Sequence, residues 1–305
     1  MITYNGSDLI LAPIAGYSDS GMRTLCFEYG AGLCYTEMVS AKGLYYKNEN
    51  TADLLTIGAG EKYTGVQLFG SEANIISEVM NYEVLKKFPV IDFNMGCPVP
   101  KVVKNGEGSA LLKNPTMVYN IVKALKSQAA GRKITVKIRS GFYSGYENAV
   151  ETALAIEEGG ADMITVHGRT REMYYTGKVN YDIIANVKSE VKIPVCGNGD
   201  VFDMDSYLRM KDTGVDFVMI ARGAIGRPFI FADLHKKSYS FSVTDAIKKH
   251  IKTLSFLPEN VVANNMKKHI AYYLKGKSGS KALKESIFRA NSLSELVSFI
   301  DLMGE

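Results

Sequence analysis

The stretch PVIDFNMGCPVPKVVKNGEG, residues 89–108, sets an apolar run against a corner of unusual composition. Val90, Ile91 and Phe93 follow one another with little polar alternation, the pattern of a strand covered on both faces. The run stops at Gly96-Cys97-Pro98, beyond which come Lys101, Lys104 and the glycines of NGEG. Seven more runs of this kind flank it: LILAPIAG (9–16), LCYTEM (33–38), GVQLFG (65–70), ITVKIRSG (134–141), DMITVHGR (162–169), IPVCGNGD (193–200) and DFVMIARG (216–223). The segments between them have crossover length. SEANIISEVMNYEVLKK is amphipathic, and NPTMVYNIVKALKSQAAG and YENAVETALAIEEGG end on glycines placed as helix caps. Eight strand and helix units in about 230 residues predict an α/β fold, a (β/α)8 TIM barrel.

Beyond GRPFIF (226–231) the β-rich runs cease. TDAIKKHIKTL, NNMKKHIAYYLKG and ALKESIFRANSLSELVSFI predict three helices, the first capped by Ser242 or Thr244, the second by Asn264 or Asn265, the third following a turn over 276–279. The chain is therefore expected to divide into a catalytic barrel, residues 1–238, and a small all-helical domain, residues 239–305, joined over 236–242.

Composition bounds the function classes. The 305 residues are 46% hydrophobic and 22% charged, which excludes disordered and fibrous chains. No apolar run approaches the roughly 18 residues a membrane span needs. Cys26, Cys34, Cys97 and Cys196 are scattered without a CxxC, and the start lacks the pattern of a secretory leader. Reduced thiols, a cytoplasmic location and no metal cluster are expected. Net charge is +4, and residues 241–305 hold ten Lys/Arg against six Asp/Glu, so the tail carries the whole excess. A solvated helical face and a polyanion-binding one both account for that.

The ends of the eight runs carry Glu37, Gln67, Asn94, Cys97, Lys137, Arg139, His167, Arg169, Asn198, Asp200 and Arg222. In a barrel these ends converge on one mouth. GNGDV and ARGAIG, after the seventh and eighth runs, offer backbone amides and Arg222 to a phosphate, without a Walker or Rossmann fingerprint. Lys137 can stabilise charge on a carbonyl or flavin ring and His167 can hydrogen-bond or exchange a proton, while Arg139 and Arg169 suit clamping of phosphate or carbonyl groups. Cys97 suits nucleophilic attack as a thiolate beside Lys101 and Lys104, or general acid catalysis as a thiol; residue chemistry leaves both open.

The segments APIAGYSDSGMRTLC, YTEMVSAKGL, GVQLFG, DFNMGCPVPKVVKNGEGSALL, VKIRSG, VHGRTREMYYTG, PVCGNGDV, ARGAIGRPFIF and MKKHIAYYLKG, in this order, resemble the tRNA-dihydrouridine synthase family over nearly the full length, most closely its bacterial branch with an M(K/R)KH tail motif. The resemblance implies an FMN enzyme that reduces particular uridines of tRNA to dihydrouridine. NADPH reduces the flavin, hydride passes to C6 of an extruded uracil, and Cys97 protonates C5. It further implies that Ala12, Pro13, Ile14 and Ala15 lie along the flavin, that Gln67 bonds its polar edge, and that Lys137 and His167 stand beside flavin and substrate. Asn198, Gly199, Asp200, Ala221, Arg222 and Gly223 then grip the ribityl phosphate. Asn94, Lys101, Arg139 and Arg169 become substrate contacts, and Lys267, Lys268 and His269, with Lys275 and Lys277, a tRNA-binding tail. A monomer with no obligate protein partner is expected. Departures from the family pattern are Ile14 for methionine, and Tyr181 and Phe229 for tryptophan, which is absent throughout.

Two other classes share some of these features. A small-molecule flavin reductase would need the barrel and phosphate grip but not the basic tail, and tRNA-dependent flavin oxidation separates it. A nonenzymatic RNA-binding module would be colourless even after FMN is added.

Overall fold

The computed structural model describes residues 4–48, 51–277 and 279–301. The eight runs form β1 (Leu9–Leu11), β2 (Leu33–Ser40), β3 (Thr64–Phe69), β4 (Val90–Met95), β5 (Lys133–Arg139), β6 (Met163–His167), β7 (Val195–Asn198) and β8 (Phe217–Ile220). Every neighbouring pair is parallel and β8 closes on β1, giving the eight-stranded barrel that the apolar runs predict.

Alternation along the strands explains its two cores. Ile10, Leu33, Tyr35, Cys196 and Met219 form an inner cluster, whereas their neighbours Leu9, Leu11, Cys34, Val195, Val218 and Ile220 belong to a larger cluster shared with the surrounding helices. At the strands' N-terminal ends Tyr4 packs on Tyr63 and on Phe217, with ring centroids 5.5 and 5.2 Å apart, and plugs that end.

The barrel is surrounded by α1 (Ser20–Glu28), α2 (Ala41–Tyr45), α3 (Ala73–Val79), α4 (Glu83–Lys86), α5 (Pro100–Lys104), α6 (Pro115–Ser127), α7 (Ala149–Glu158), α8 (Tyr181–Glu190), α9 (Met204–Lys211) and α10 (Ile230–Leu234). The third crossover is not one helix, because α3 and α4 are separated by a turn at Asn81 and Tyr82. α6 starts at the Asn114 cap with Pro115 in its first turn and ends at Ser127, short of the glycine expected to cap it. α7 does end at Gly159.

Among the described residues four helices follow: α11 (Val243–Thr253), α12 (Glu259–Tyr273), α13 (Ser280–Arg289) and α14 (Leu293–Asp301). Ser242 caps α11 as expected, its hydroxyl accepting from the Asp245 amide. α12 instead starts a turn earlier than Asn264 and Asn265, directly after Pro258. The last expected helix is two, parted at Ala290 where Asn291 and Ser292 begin the cap of α14. These helices share a core that includes Ile247, Val262, Met266, Ile270, Leu274, Ile287, Leu296 and Ile300, to which the barrel adds Leu25. At the link, Phe229 stacks on Tyr239 at 5.3 Å and contacts Phe241, so phenylalanine supplies aromatic bulk there. Among the described residues no helix is long and apolar enough to cross a membrane.

Candidate active site

A cavity of about 350 Å³ opens at the C-terminal ends of the strands. The segment after β1 contributes Ala12, Pro13, Ile14 and Ala15; β3 contributes Gln67, and β4 and its corner contribute Asn94 and Cys97. Lys137 and Arg139 reach it from β5, His167 from β6, Asn198, Gly199 and Asp200 from the end of β7, and Ala221, Arg222 and Gly223 from the end of β8. One site thus gathers residues from positions 12 to 225 of the barrel and Tyr272 of the tail.

The Cys97 corner is held from several directions. The Asn94 side-chain Oδ1 accepts from the Gly96 and Cys97 backbone amides at 3.1 and 2.8 Å. Arg139 Nε donates to the Gly96 carbonyl at 2.8 Å, and Ser109 donates to the Cys97 carbonyl through its amide and its hydroxyl. Gly108 has φ +58°, and a Cβ there would lie 2.9 Å from the Cys97 carbonyl oxygen, so the NGEG turn can close on this corner only as glycine. Burial pushes the Cys97 thiol above its ordinary range, against the opposing effects of the Val99 amide and the Arg139 and Lys137 charges. The group is held as a thiol at neutral pH.

Polar groups from β5, β6 and β7 also line the cavity. His167 Nδ1 lies 2.9 Å from Asn198 Oδ1, while Asn198 Nδ2 donates to the Met219 carbonyl. The amide oxygen therefore faces the ring, Nδ1 carries the proton, and the partnerless, buried Nε2 is left as an acceptor. Burial first, and the Lys137 and Arg139 charges next, hold the His167 pKa well below the usual range, so the ring is neutral. Burial, with Arg139 beside it, lowers Lys137 to about 8, and its ammonium makes no hydrogen bond or ion pair among the described residues. At Gly223 a Cβ would come within 2.2 Å of the Val201 carbonyl oxygen, which keeps the loop ends of β7 and β8 in backbone contact.

Several expected contacts lie elsewhere. Arg169 is 2% exposed and does not line the cavity; it donates to the Thr176 and Gly177 carbonyls and pairs with Asp200. Its Nε and Nη2 brace the loops after β6 and β7, its Nη1 is buried without a partner, and the cavity lining expected of a substrate contact does not include it. Asp200 is paired on its other oxygen with Arg222 at 2.6 Å, so it is a counter-ion shared by Arg169 and Arg222. Lys101 stands exposed on α5, outside the cavity lining. His269 is fully buried and its Nε2 lies 3.0 Å from Asp19 Oδ2, while His250 Nε2 lies 2.7 Å from Asp19 Oδ1. It cannot touch a nucleic acid from there, which corrects its expected role. Lys267 and Lys268 are half-buried on α12, and Lys268 Nζ sits over the Tyr17 ring. Lys275 and Lys277 are exposed and line a groove of about 1160 Å³ with Arg222 and Arg227, continuous with the mouth through Phe202 and Tyr272.

Sequence reasoning missed Tyr175 and Phe202, exposed rings at the rim that flank the Arg222 guanidinium at 5.1 and 5.8 Å. It also missed Asp92 and Asp19. An acid inside the apolar run PVIDFNMG was a readable signal for the first; nothing local marks the second.

The profile of the family described as Dihydrouridine synthase (Dus) matches residues 10–303. The chain is 38% identical to tRNA-dihydrouridine synthase B of Shewanella oneidensis over 229 residues, 75% of this chain and 71% of the relative. It is 33% identical to the Probable tRNA-dihydrouridine synthase 1 of Synechocystis over 306 residues, covering 97% and 86% of the two chains. A similar match, 33% identical over 96% of this chain and 92% of the relative, joins it to the Probable tRNA-dihydrouridine synthase of Treponema pallidum. With a match that begins in β1 and runs through the last helix, the chain belongs to the dihydrouridine synthase family of FMN-binding oxidoreductases, in its bacterial branch.

Proposed function

We propose that this chain reduces the C5–C6 double bond of specific uridines in tRNA to 5,6-dihydrouridine, with FMN in the barrel mouth and NADPH as reductant. The observation that carries the reading is a buried Cys97 lining the cavity that also holds Lys137 and the partnerless Nε2 of His167, with burial raising the thiol's pKa. These residues fit a flavin mononucleotide. Ala12, Pro13, Ile14 and Ala15 supply a close backbone wall, Gln67 and His167 polar partners, and Lys137 a cation for charge gathering on the ring. Asn198, Gly199, Ala221, Gly223 and Arg222 supply amides and charge for the phosphate, Arg169 neutralising Asp200 behind them.

The flavin, when bound and reduced, supplies the hydride for C6 of the uracil. Cys97 supplies the proton for C5: its S–H bond breaks, a C5–H bond forms as the carbon–carbon π bond is lost, and the thiolate regains a proton from solvent. A thiol whose burial favours the neutral form suits an acid better than a nucleophile. Asn94 and Arg139 act by holding the Cys97 corner. Residues 239–305 serve as the tRNA-binding domain beside the barrel of residues 1–238, with Lys275, Lys277 and Arg227 meeting phosphates along the groove.

The test is anaerobic. Protein loaded with FMN and reduced by NADPH is mixed with an unmodified tRNA transcript. Flavin reoxidation together with dihydrouridine in the digested RNA is expected; reduced flavin that ignores tRNA overturns the reading.

A further inference from the structure

Inside the barrel the parallel register sets Gln67, Asp92 and Thr135 side by side on β3, β4 and β5. Asp92 is fully buried and Gln67 is 1% exposed. Asp92 Oδ1 accepts from the Thr135 hydroxyl at 2.6 Å, and Tyr35 reaches that hydroxyl at 3.0 Å. Asp92 Oδ2 accepts from Gln67 Nε2 at 2.6 Å. Gln67 Oε1 accepts from Asn94 Nδ2 at 2.9 Å, and Asn94 Oδ1 accepts the Cys97 amide at 2.8 Å.

A carboxamide has nearly the same shape either way round, so its orientation is fixed only by what it bonds. In this chain of contacts the Gly96 and Cys97 amides, which can only donate, fix the polarity at one end, and the Asp92 carboxylate, which can only accept when ionised, fixes it at the other. The carboxylate draws the nitrogen of Gln67 toward itself and leaves the oxygen for Asn94. That bond in turn leaves the Asn94 oxygen for the amides of Gly96 and Cys97. Reversing any one amide would set N–H against N–H at the next link.

We propose that Asp92 is a positioning residue for the reaction: it orients Gln67, Gln67 orients Asn94, and Asn94 holds the Cys97 corner in the conformation that keeps its thiol at the cavity. Its meaning for catalysis rests on the acid role proposed for Cys97, but the relay can be tested apart from turnover.

The probe is iodoacetamide labelling of the full-length FMN-loaded protein, followed thiol by thiol by mass spectrometry. Cys26, Cys34 and Cys196 are fully buried and report general loosening, whereas Cys97 is 8% exposed and reports its corner. Asp92→Leu, which leaves Gln67 Nε2 without an acceptor, should raise Cys97 labelling about tenfold while the other three thiols stay unreactive, the size expected for one lost local hydrogen-bond link. Asp92→Asn keeps an acceptor, because its oxygen can face Gln67 while its NH2 donates to the Thr135 hydroxyl, so Cys97 labelling should stay within about threefold of the parent rate. Unchanged Cys97 reactivity in Asp92→Leu, or an Asp92→Asn as reactive as Asp92→Leu, overturns the relay. If Asp92→Leu unfolds and all four thiols react together, Gln67→Leu decides: Cys97 labelling raised alone sustains the proposal, and unchanged labelling overturns it in favour of a merely structural carboxylate. Full dihydrouridine turnover by Cys97→Ala would reject the acid and leave these labelling results untouched.

Discussion

Asp92 inside the barrel and Asp19 where the barrel meets the tail are both enclosed acids, yet Asp92 is met by neutral donors and Asp19 by two histidines. Burial pushes Asp92 up to about 6, because the Thr135 and Gln67 bonds and the Lys137 charge only partly offset it. Burial would raise Asp19 too, but the charges and hydrogen bonds of His250 and His269 reverse the sign and hold its carboxyl well below the usual range. Asp19 also caps α1, accepting from the Met22 amide at 2.9 Å, and α1 and α11 come so close that a Cβ on Gly21 would fall 2.0 Å from the His250 ring. One acid therefore sets the direction of neutral dipoles beside Cys97, and the other ties α1 to α11 and α12 through hydrogen bonds to two histidines. The first is useful because its neighbours can point two ways, the second because its neighbours reach it from two helices of the tail.

The largest expected effect breaks the barrel side alone. Cys97→Ala should lower single-turnover dihydrouridine formation by about 10² to 10⁴, the range for a lost general acid, with FMN absorbance and tail exchange unchanged. An unaltered rate removes Cys97 from the chemistry.

Breaking the other side should be costly in stability. Asp19→Ala leaves His250 and His269 buried without their acceptor and removes a helix cap, a loss of about 3 kcal/mol. Hydrogen exchange should rise across α11 and α12 while β4 and β5 stay protected. Uniform exchange through both regions would show that the junction and the barrel are a single cooperative unit.

Surface charge is expected to contribute less. Lys275→Ala combined with Lys277→Ala should weaken tRNA binding several-fold and flatten its salt dependence by about two phosphate contacts, with NADPH-driven flavin reduction unaffected. A filter-binding salt titration measures both, and an unchanged slope removes the groove from the RNA path.

Acidification sharpens the contrast most gently. The folded pKa of Asp92 lies above its ordinary value of 3.8, so the native barrel binds a proton that the unfolded chain does not, and this part of barrel stability grows as pH falls from about 6 toward 4. His269 runs the other way. Burial and the neighbouring His250 and Lys268 charges, against the pull of Asp19, depress its pKa below 6.5. Its contribution is whole above that value and is lost as pH falls through the depressed one; the depressed carboxyl of Asp19 adds a further loss of the same sign at lower pH. Between pH 7 and 5, exchange corrected for its intrinsic pH dependence should show α11 and α12 losing protection relative to β4 and β5. Equal changes in both regions would contradict the opposite signs.

The barrel was legible because its strands are covered on both faces and so read as nearly unbroken apolar runs, which survive without any knowledge of partners. The Cys97 corner was legible because Gly-Cys-Pro followed by a glycine turn is local chemistry. Orientation was not: whether Arg169 meets a ligand or Asp200 depends on a contact across 31 residues, and the Asp19 bonds to His250 and His269 span 231 and 250. His269 was misread because MKKH looks basic and solvated. Helical spacing held the better clue, since Met266, His269, Ile270 and Tyr273 fall on one stripe and all four are buried. Asn264 and Asn265 misled similarly, being good caps that fall inside a helix whose start Pro258 had already set.

The aromatic plug of Tyr4, Tyr63 and Phe217 has a consequence for timing. A tube open at both ends would let reductant and RNA approach from opposite sides together. With its floor sealed the barrel is a dead end, so under the proposed function nicotinamide and nucleobase share a single doorway and must take turns at it.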